Sequence, residues 1–112
     1  MSLTNWSETI VIAELQDEPS LSEDLSALAA RFEQDGDHRD VVLDLTEVNY
    51  LTSSNIAALL RLRRLVISNE CRMKVTGCTN SVWGIFLTTG LDKVFDFVDD
   101  KLMALATLQM GG

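Results

Sequence analysis

The residues with the most chemistry to offer are Thr52, Ser53, Ser54 and Asn55, three hydroxyls and an amide in an unbroken row. They follow the aliphatic run Val41-Val42-Leu43-Asp44-Leu45 and precede an apolar pattern of helical period that opens at Ile56. Small hydroxyl and amide side chains suit that place, because they accept hydrogen bonds from the unpaired N–H groups of a helix's first turn. The same N–H groups and the positive end of the helix dipole favour an anion, so a serine there can carry or sense a phosphate. No base for a nucleophile, metal-ligand cluster or glycine-rich cradle surrounds the row, which points to a switch or a plain helix cap rather than a catalytic centre.

Other reactive side chains read as structural. His38 stands alone in the acidic loop Glu33-Gln34-Asp35-Gly36-Asp37. Cys71 and Cys78 lack zinc-ligand spacing and histidine companions, and no secretory signal precedes them, so they are expected to be free thiols in a cytoplasmic protein. Asp99-Asp100 suits a helix start better than a cation site. Arg61, Arg63 and Arg64 resemble a phosphate-binding patch but fit a solvated helix flank. No metal and no cofactor is expected.

The elements that must position the serine row are legible from periodicity. Thr9 to Leu15 is a β-branched strand, and Leu3 to Trp6 a short strand that could pair with it at an edge. Pro19 breaks the chain, Ser20 and Glu23 have capping-box spacing, and Leu21, Leu25, Leu28, Ala29 and Phe32 give the first helix one apolar stripe. Val41 to Leu45 reads as a strand buried on both faces. A second helix runs from about Ser54 to Asn69, with Ile56, Leu59, Leu60, Val66 and Ile67 as its stripe and Ala58, Leu62 and Leu65 widening the arc. Arg72 to Thr76 is the next strand, Thr79 or Asn80 caps a third helix reaching Thr88, and Gly90 ends it. Val94 to Val98 is a last strand, and a final helix follows in which Leu102, Leu105 and Leu108 share a face. Asn55 can adopt a left-handed conformation and so preserve a turn there.

Alternation of strands and helices with short links predicts an α/β domain: a mixed, mostly parallel sheet of four to five strands with helices packed mainly on one face. A chain of 112 residues, 46% hydrophobic, supports one such domain. Its net charge of −8 argues against nucleic acid and anionic membrane surfaces. No apolar run approaches the ~20 residues of a membrane span.

Asp44-Leu45 at a strand end, the Ser53-Ser54 turn and Thr89-Gly90-Leu91-Asp92-Lys93-Val94-Phe95 lie in the order and spacing of STAS domains, and the chain resembles the small bacterial anti-sigma factor antagonists. The likeness spans residues 9–108 and leaves residues 1–8 as an N-terminal segment. It implies a non-enzymatic regulator of transcription that binds an anti-sigma factor kinase and is released when phosphorylated. In that family the second serine of an Asp-Ser-Ser-Gly turn is the phosphoacceptor. By position it is Ser54, with Thr52, Ser53 and Asn55 lining the docking turn. Thr52 stands where the family has Asp, and Asn55 where it has Gly. The alternative is a non-catalytic STAS subunit of a larger assembly, either a stress-signalling scaffold or the cytoplasmic component of a lipid-transport complex, that uses the turn as a static dock.

Phosphate chemistry supports a switch without reference to any family. A phosphoserine adds roughly −1.5 to −2 charges. A helix start tolerates them, whereas an acidic partner surface would repel them when the interface desolvates. Folding would survive and binding would fail. A partner surface is expected from Leu62, Leu65, Trp83 and Leu87, on two helices that successive right-handed crossovers would place side by side. Self-association is left open.

Overall fold

A computed structural model describes residues 1–110 and contains five strands and four α-helices in the order β1 (Ser2–Asn5), β2 (Ile10–Gln16), α1 (Ser20–Glu33), β3 (Asp40–Glu47), α2 (Ser53–Ser68), β4 (Met73–Thr76), α3 (Asn80–Thr89), β5 (Asp96–Phe97) and α4 (Lys101–Gln109). The strands lie side by side in chain order. β1 runs antiparallel to β2, and the other three pairings are parallel. Parallel strands laid down in sequence advance in one direction. Right-handed crossovers then carry every connecting helix over the same face.

The core divides accordingly. Val11, Ala13, Val41, Leu43, Leu45 and Val75 point to one face, where they bury against Leu21, Leu25 and Leu28 of α1, Leu59, Leu62 and Val66 of α2, and Val82 and Phe86 of α3. Residues of opposite parity, Ile10, Ile12 and Val42, point to the other face and meet Ala104, Leu105 and Leu108 of α4. Among the described residues, α4 is the helix that covers that second face. β3 is therefore buried on both sides over Val41–Leu45, as its unbroken aliphatic run requires.

Several local details depart from sequence expectation. Glu18, rather than a Ser20–Glu23 capping box, satisfies the start of α1: its carboxylate accepts from the Ser22 N–H at 2.7 Å and from the Ser22 hydroxyl. On α2 the buried stripe is Asn55, Leu59, Leu62 and Val66, while Ile67 is half exposed. At 100° per residue Leu59, Leu62 and Val66 occupy the middle of the apolar arc that runs from Leu65 to Leu60, and Ile67 lies at its edge. Leu102 is 77% exposed and does not share the buried face of Leu105 and Leu108; Ala104 takes its place. β5 keeps only two residues of the expected Val94–Val98 strand, because Leu91–Lys93 form a 3₁₀ turn that Val94 closes. Gly90 ends α3 in the left-handed conformation, as a C-terminal glycine does.

Candidate functional site

α2 begins at the C-terminal end of β3, after a loop pinned by the buried side chains of Val48 and Leu51. The N-cap is Thr52, not Ser53 or Ser54. Its hydroxyl accepts from the Asn55 N–H at 3.1 Å, and the Asn55 side-chain oxygen accepts from the Thr52 N–H at 2.9 Å, which closes a reciprocal capping box. Asn55 is only 1% exposed. Its amide nitrogen donates at 3.4 Å to the Glu18 carboxylate and to the Ser22 hydroxyl, so the start of α2 is tied to the start of α1. Asn55 thus lies inside the helix as a buried tie, rather than in a left-handed turn or on an accessible docking edge.

The loop before the helix is fastened in the same style. Asp17 accepts from the backbone N–H and the side-chain amide of Asn49 at 2.8 and 2.9 Å. These bonds hold the Asp17 carboxyl below the usual carboxylate range, and the bonds from Ser22 do the same for Glu18. Both acids stay charged beside the helix start. Ser53 and Ser54 are the outward residues of the first turn, and Tyr50 beside them is 66% exposed. The N–H groups of Ser53 and Ser54 fall in the part of the helix that has no intrahelical acceptor. The result is a rigid, polar knob with two free hydroxyls at its tip.

A second polar cluster braces the same sheet end. Burial alone would raise the pKa of Asp44, but the hydroxyl and N–H of Thr46 and the Lys101 ammonium at 3.1 Å together hold it low. Lys101 is raised in turn, chiefly by its bond to Asp44. Gly77, at φ 75°, lies so close that a Cβ would fall 2.4 Å from the Thr46 hydroxyl and 2.6 Å from an Asp44 oxygen. Asp44 therefore fastens α4 to the sheet.

The four residues expected to share a partner surface divide. Leu62 is fully buried in the core and cannot take part. Leu65 is half-buried, Leu87 is 51% exposed, and Trp83 is 37% exposed. The Trp83 ring is committed on one side, edge-on to Phe97 with centroids 5.0 Å apart. Trp83 and Phe97 line a cavity of about 280 Å³ together with Thr76, Gly77 and Cys78, and that cavity takes none of its wall from the Thr52–Asn55 turn.

Cys71 and Cys78 are free thiols; burial pushes the first up and the second to about 11. His38 contacts the Asn69 carbonyl at 3.4 Å. Asp100 caps α4 by accepting from the Met103 N–H at 2.8 Å. Arg61 pairs with Glu33. Among the described residues no group of three or more His, Cys, Asp or Glu side chains could hold a metal ion, and no helix is long and apolar enough to cross a membrane. The link from Glu18 to Asn55 spans 37 residues and leaves little trace in the local sequence. Its only local sign is an Asn at the third helical position, the place where a capping box is completed.

Three helices on one face of a mixed sheet ordered along the chain, a fourth helix on the other face and a polar, hydrogen-bonded helix start at the strand ends define a single α/β domain. The chain belongs to the STAS family described as Mlab, STAS domain, whose model matches residues 14–103. Solved structures agree on the fold. An anti-sigma-factor antagonist (STAS) domain protein from Planctomyces limnophilus superposes with a TM-score of 0.79 at 19% identity, over 99% of this chain and 97% of that one. The anti-sigma factor antagonist SpoIIAA in its unphosphorylated form gives 0.78 at 13% identity, over 99% and 96%. The phosphorylated form of the Bacillus cell fate determinant SpoIIAA gives 0.71 at 13%, over 96% and 97%. No curated protein sequence matches the chain.

Proposed function

We propose that this chain is a non-catalytic docking module of the anti-sigma factor antagonist type. In its unmodified form it engages an anti-sigma factor that is also a serine kinase, and phosphorylation of Ser54 releases it. The observation that carries this reading is the exposure of Ser54 at the second position of α2, on a helix start fixed in place by Thr52, Asn55 and Glu18. A rigid base lets the hydroxyl be presented without an ordering cost on binding. A phosphate there would meet helix N–H groups within the chain, so the fold would tolerate it. It would also stand near Asp17 and Glu18, which are held ionised, and so would deepen an already negative surface. The existence of SpoIIAA in phosphorylated and unphosphorylated forms supports the same reading by likeness of fold.

A second reading, a fixed subunit that uses the turn as a permanent dock, rests on Thr52 and Asn55. Both are consumed by the capping box, and the turn is complete without any modification. Mass spectrometry of the protein isolated from its native cell distinguishes the two. Phosphate on Ser54 in a measurable fraction supports the switch. Its consistent absence, with a partner still bound through the turn, leaves the permanent dock.

A further inference from the structure

α4 is apolar on both sides. Its inner side chains, Ala104, Leu105 and Leu108, are buried against the sheet. Its outer ones are apolar too: Leu102 is 77% exposed, Met103 51% and Met110 84%, with Ala106 exposed between them. At 100° per residue these four lie within about 100° of the helix circumference. The helix carries one charge, Lys101, which is engaged by Asp44 at 3.1 Å and Glu14 at 3.5 Å. A surface helix ordinarily turns a polar face to water, and one that is apolar all round is ordinarily covered on both sides.

We infer that the outer stripe of α4 is covered by the same stripe of a second copy, the two helices crossing antiparallel about a two-fold axis at Ala106. The spacing is self-complementary. Leu102 and Met110 lie four residues either side of Ala106, so an antiparallel copy sets each Leu102 against the other's Met110, and the small Ala106 lets the backbones approach. The stripe holds no charge, so two strongly acidic chains meet where neither presents a carboxylate. Each helix's positive end lies beside the other's negative end. A lipid surface fits less well. The residues before the helix are Asp99 and Asp100, where an interfacial helix would carry cations. α4 lies on the opposite sheet face from α2, so the dimer leaves Ser54 free. The inference stands whether or not Ser54 is modified.

The stripe offers only a few hundred Å² per copy, so the contact belongs to the weak class, with an expected Kd between about 10 µM and 1 mM. Sedimentation of the full chain across that range should show the mass rising from 12.4 kDa toward twice that value. Ala106→Glu, an exposed substitution on an intact helix, should hold the protein monomeric with an unchanged far-UV spectrum and melting temperature. Under mild oxidant, Ala106→Cys should give a disulfide-linked dimer that Leu102→Cys and the wild type do not. A wild-type chain that stays monomeric at about 1 mM, or association that survives Ala106→Glu, overturns the inference. So does a monomer that instead binds phosphatidylcholine vesicles and loses that binding in Ala106→Glu.

Discussion

Two helix starts stand side by side at the same end of the sheet, and they are built from nearly the same parts. α2 is capped by Thr52 and α3 by Thr79, each hydroxyl accepting from the N–H three residues on. Each helix then places an exposed serine at its second position, Ser54 in one and Ser81 in the other. They differ at the third position. There α2 has Asn55, which closes the capping box and reaches Glu18 and Ser22, whereas α3 has Val82, which is fully buried in the core. The start of α3 is held by packing, and by the Thr79 hydroxyl on the Val48 carbonyl at 3.3 Å. One start is a polar joint between three segments; the other is an ordinary helix beginning. A buried amide costs more to place than a valine unless all its bonds are made. Its use in α2 marks that start as the one whose position matters.

The largest effect expected at this sheet end comes from the link into α3. Gly77→Ala forces a side chain into a left-handed position and against both Asp44 and Thr46. Together strain and overlap should lower the unfolding free energy by about 2–4 kcal/mol in denaturant titration. A loss below 0.5 kcal/mol would show that the Asp44–Thr46–Lys101 cluster is loose rather than a brace.

The next two substitutions test the contrast itself. Asn55→Ala removes half of the capping box and the tie to α1, for an expected loss of about 1–2 kcal/mol. Thr79→Ala removes two bonds at 3.3 Å, the cap bond from the Val82 N–H and the one to the Val48 carbonyl, and about 0.5–1 kcal/mol is expected. Hydrogen exchange should report where each loss falls. Asn55→Ala should raise exchange at the starts of both α1 and α2, while Thr79→Ala should act at the start of α3 and the Val48 loop it touches and leave α1 unchanged. Equal losses, each confined to its own helix, would remove the distinction between joint and plain cap.

Which parts of this were legible in the sequence follows from the range of the interactions. The aliphatic run of β3, the Pro19 break and the Gly90 stop act locally, and each read correctly in the chain. Capping chemistry is local as well, so the start of α2 is legible from the row Thr52–Asn55, although the cap is Thr52 and not a serine. The tie from Glu18 to Asn55 spans 37 residues, and nothing local announces it. Leu62, expected at a partner surface, lies in the core because it sits near the middle of the apolar arc of α2, beside Leu59 and Val66. Leu102 failed differently. Ala104, Leu105 and Leu108 span about 100° of α4 centred near Leu108, and Leu102 lies about 60° beyond that arc, on the exposed side.

The smallest change in stability should accompany the largest change in function. Ser54→Asp and Ser81→Asp make the same substitution at the same position of two neighbouring helices, so the helix dipole acts alike on both. Each carboxylate is expected to shift stability by no more than about 0.3–1 kcal/mol, and in the favourable direction. Folding therefore serves as the matched control. If the start of α2 is the docking joint, Ser54→Asp should weaken partner binding at least tenfold by titration calorimetry, since a charge desolvated against a like-charged surface costs well above the 1.4 kcal/mol of one decade. Ser81→Asp should leave the affinity within about twofold. Equal weakening by both would mean that the partner reads the negative potential of the whole sheet end, in which case raising the salt should restore both variants together. A selective effect of Ser54→Asp that persists at high salt would place the partner's surface directly on that hydroxyl.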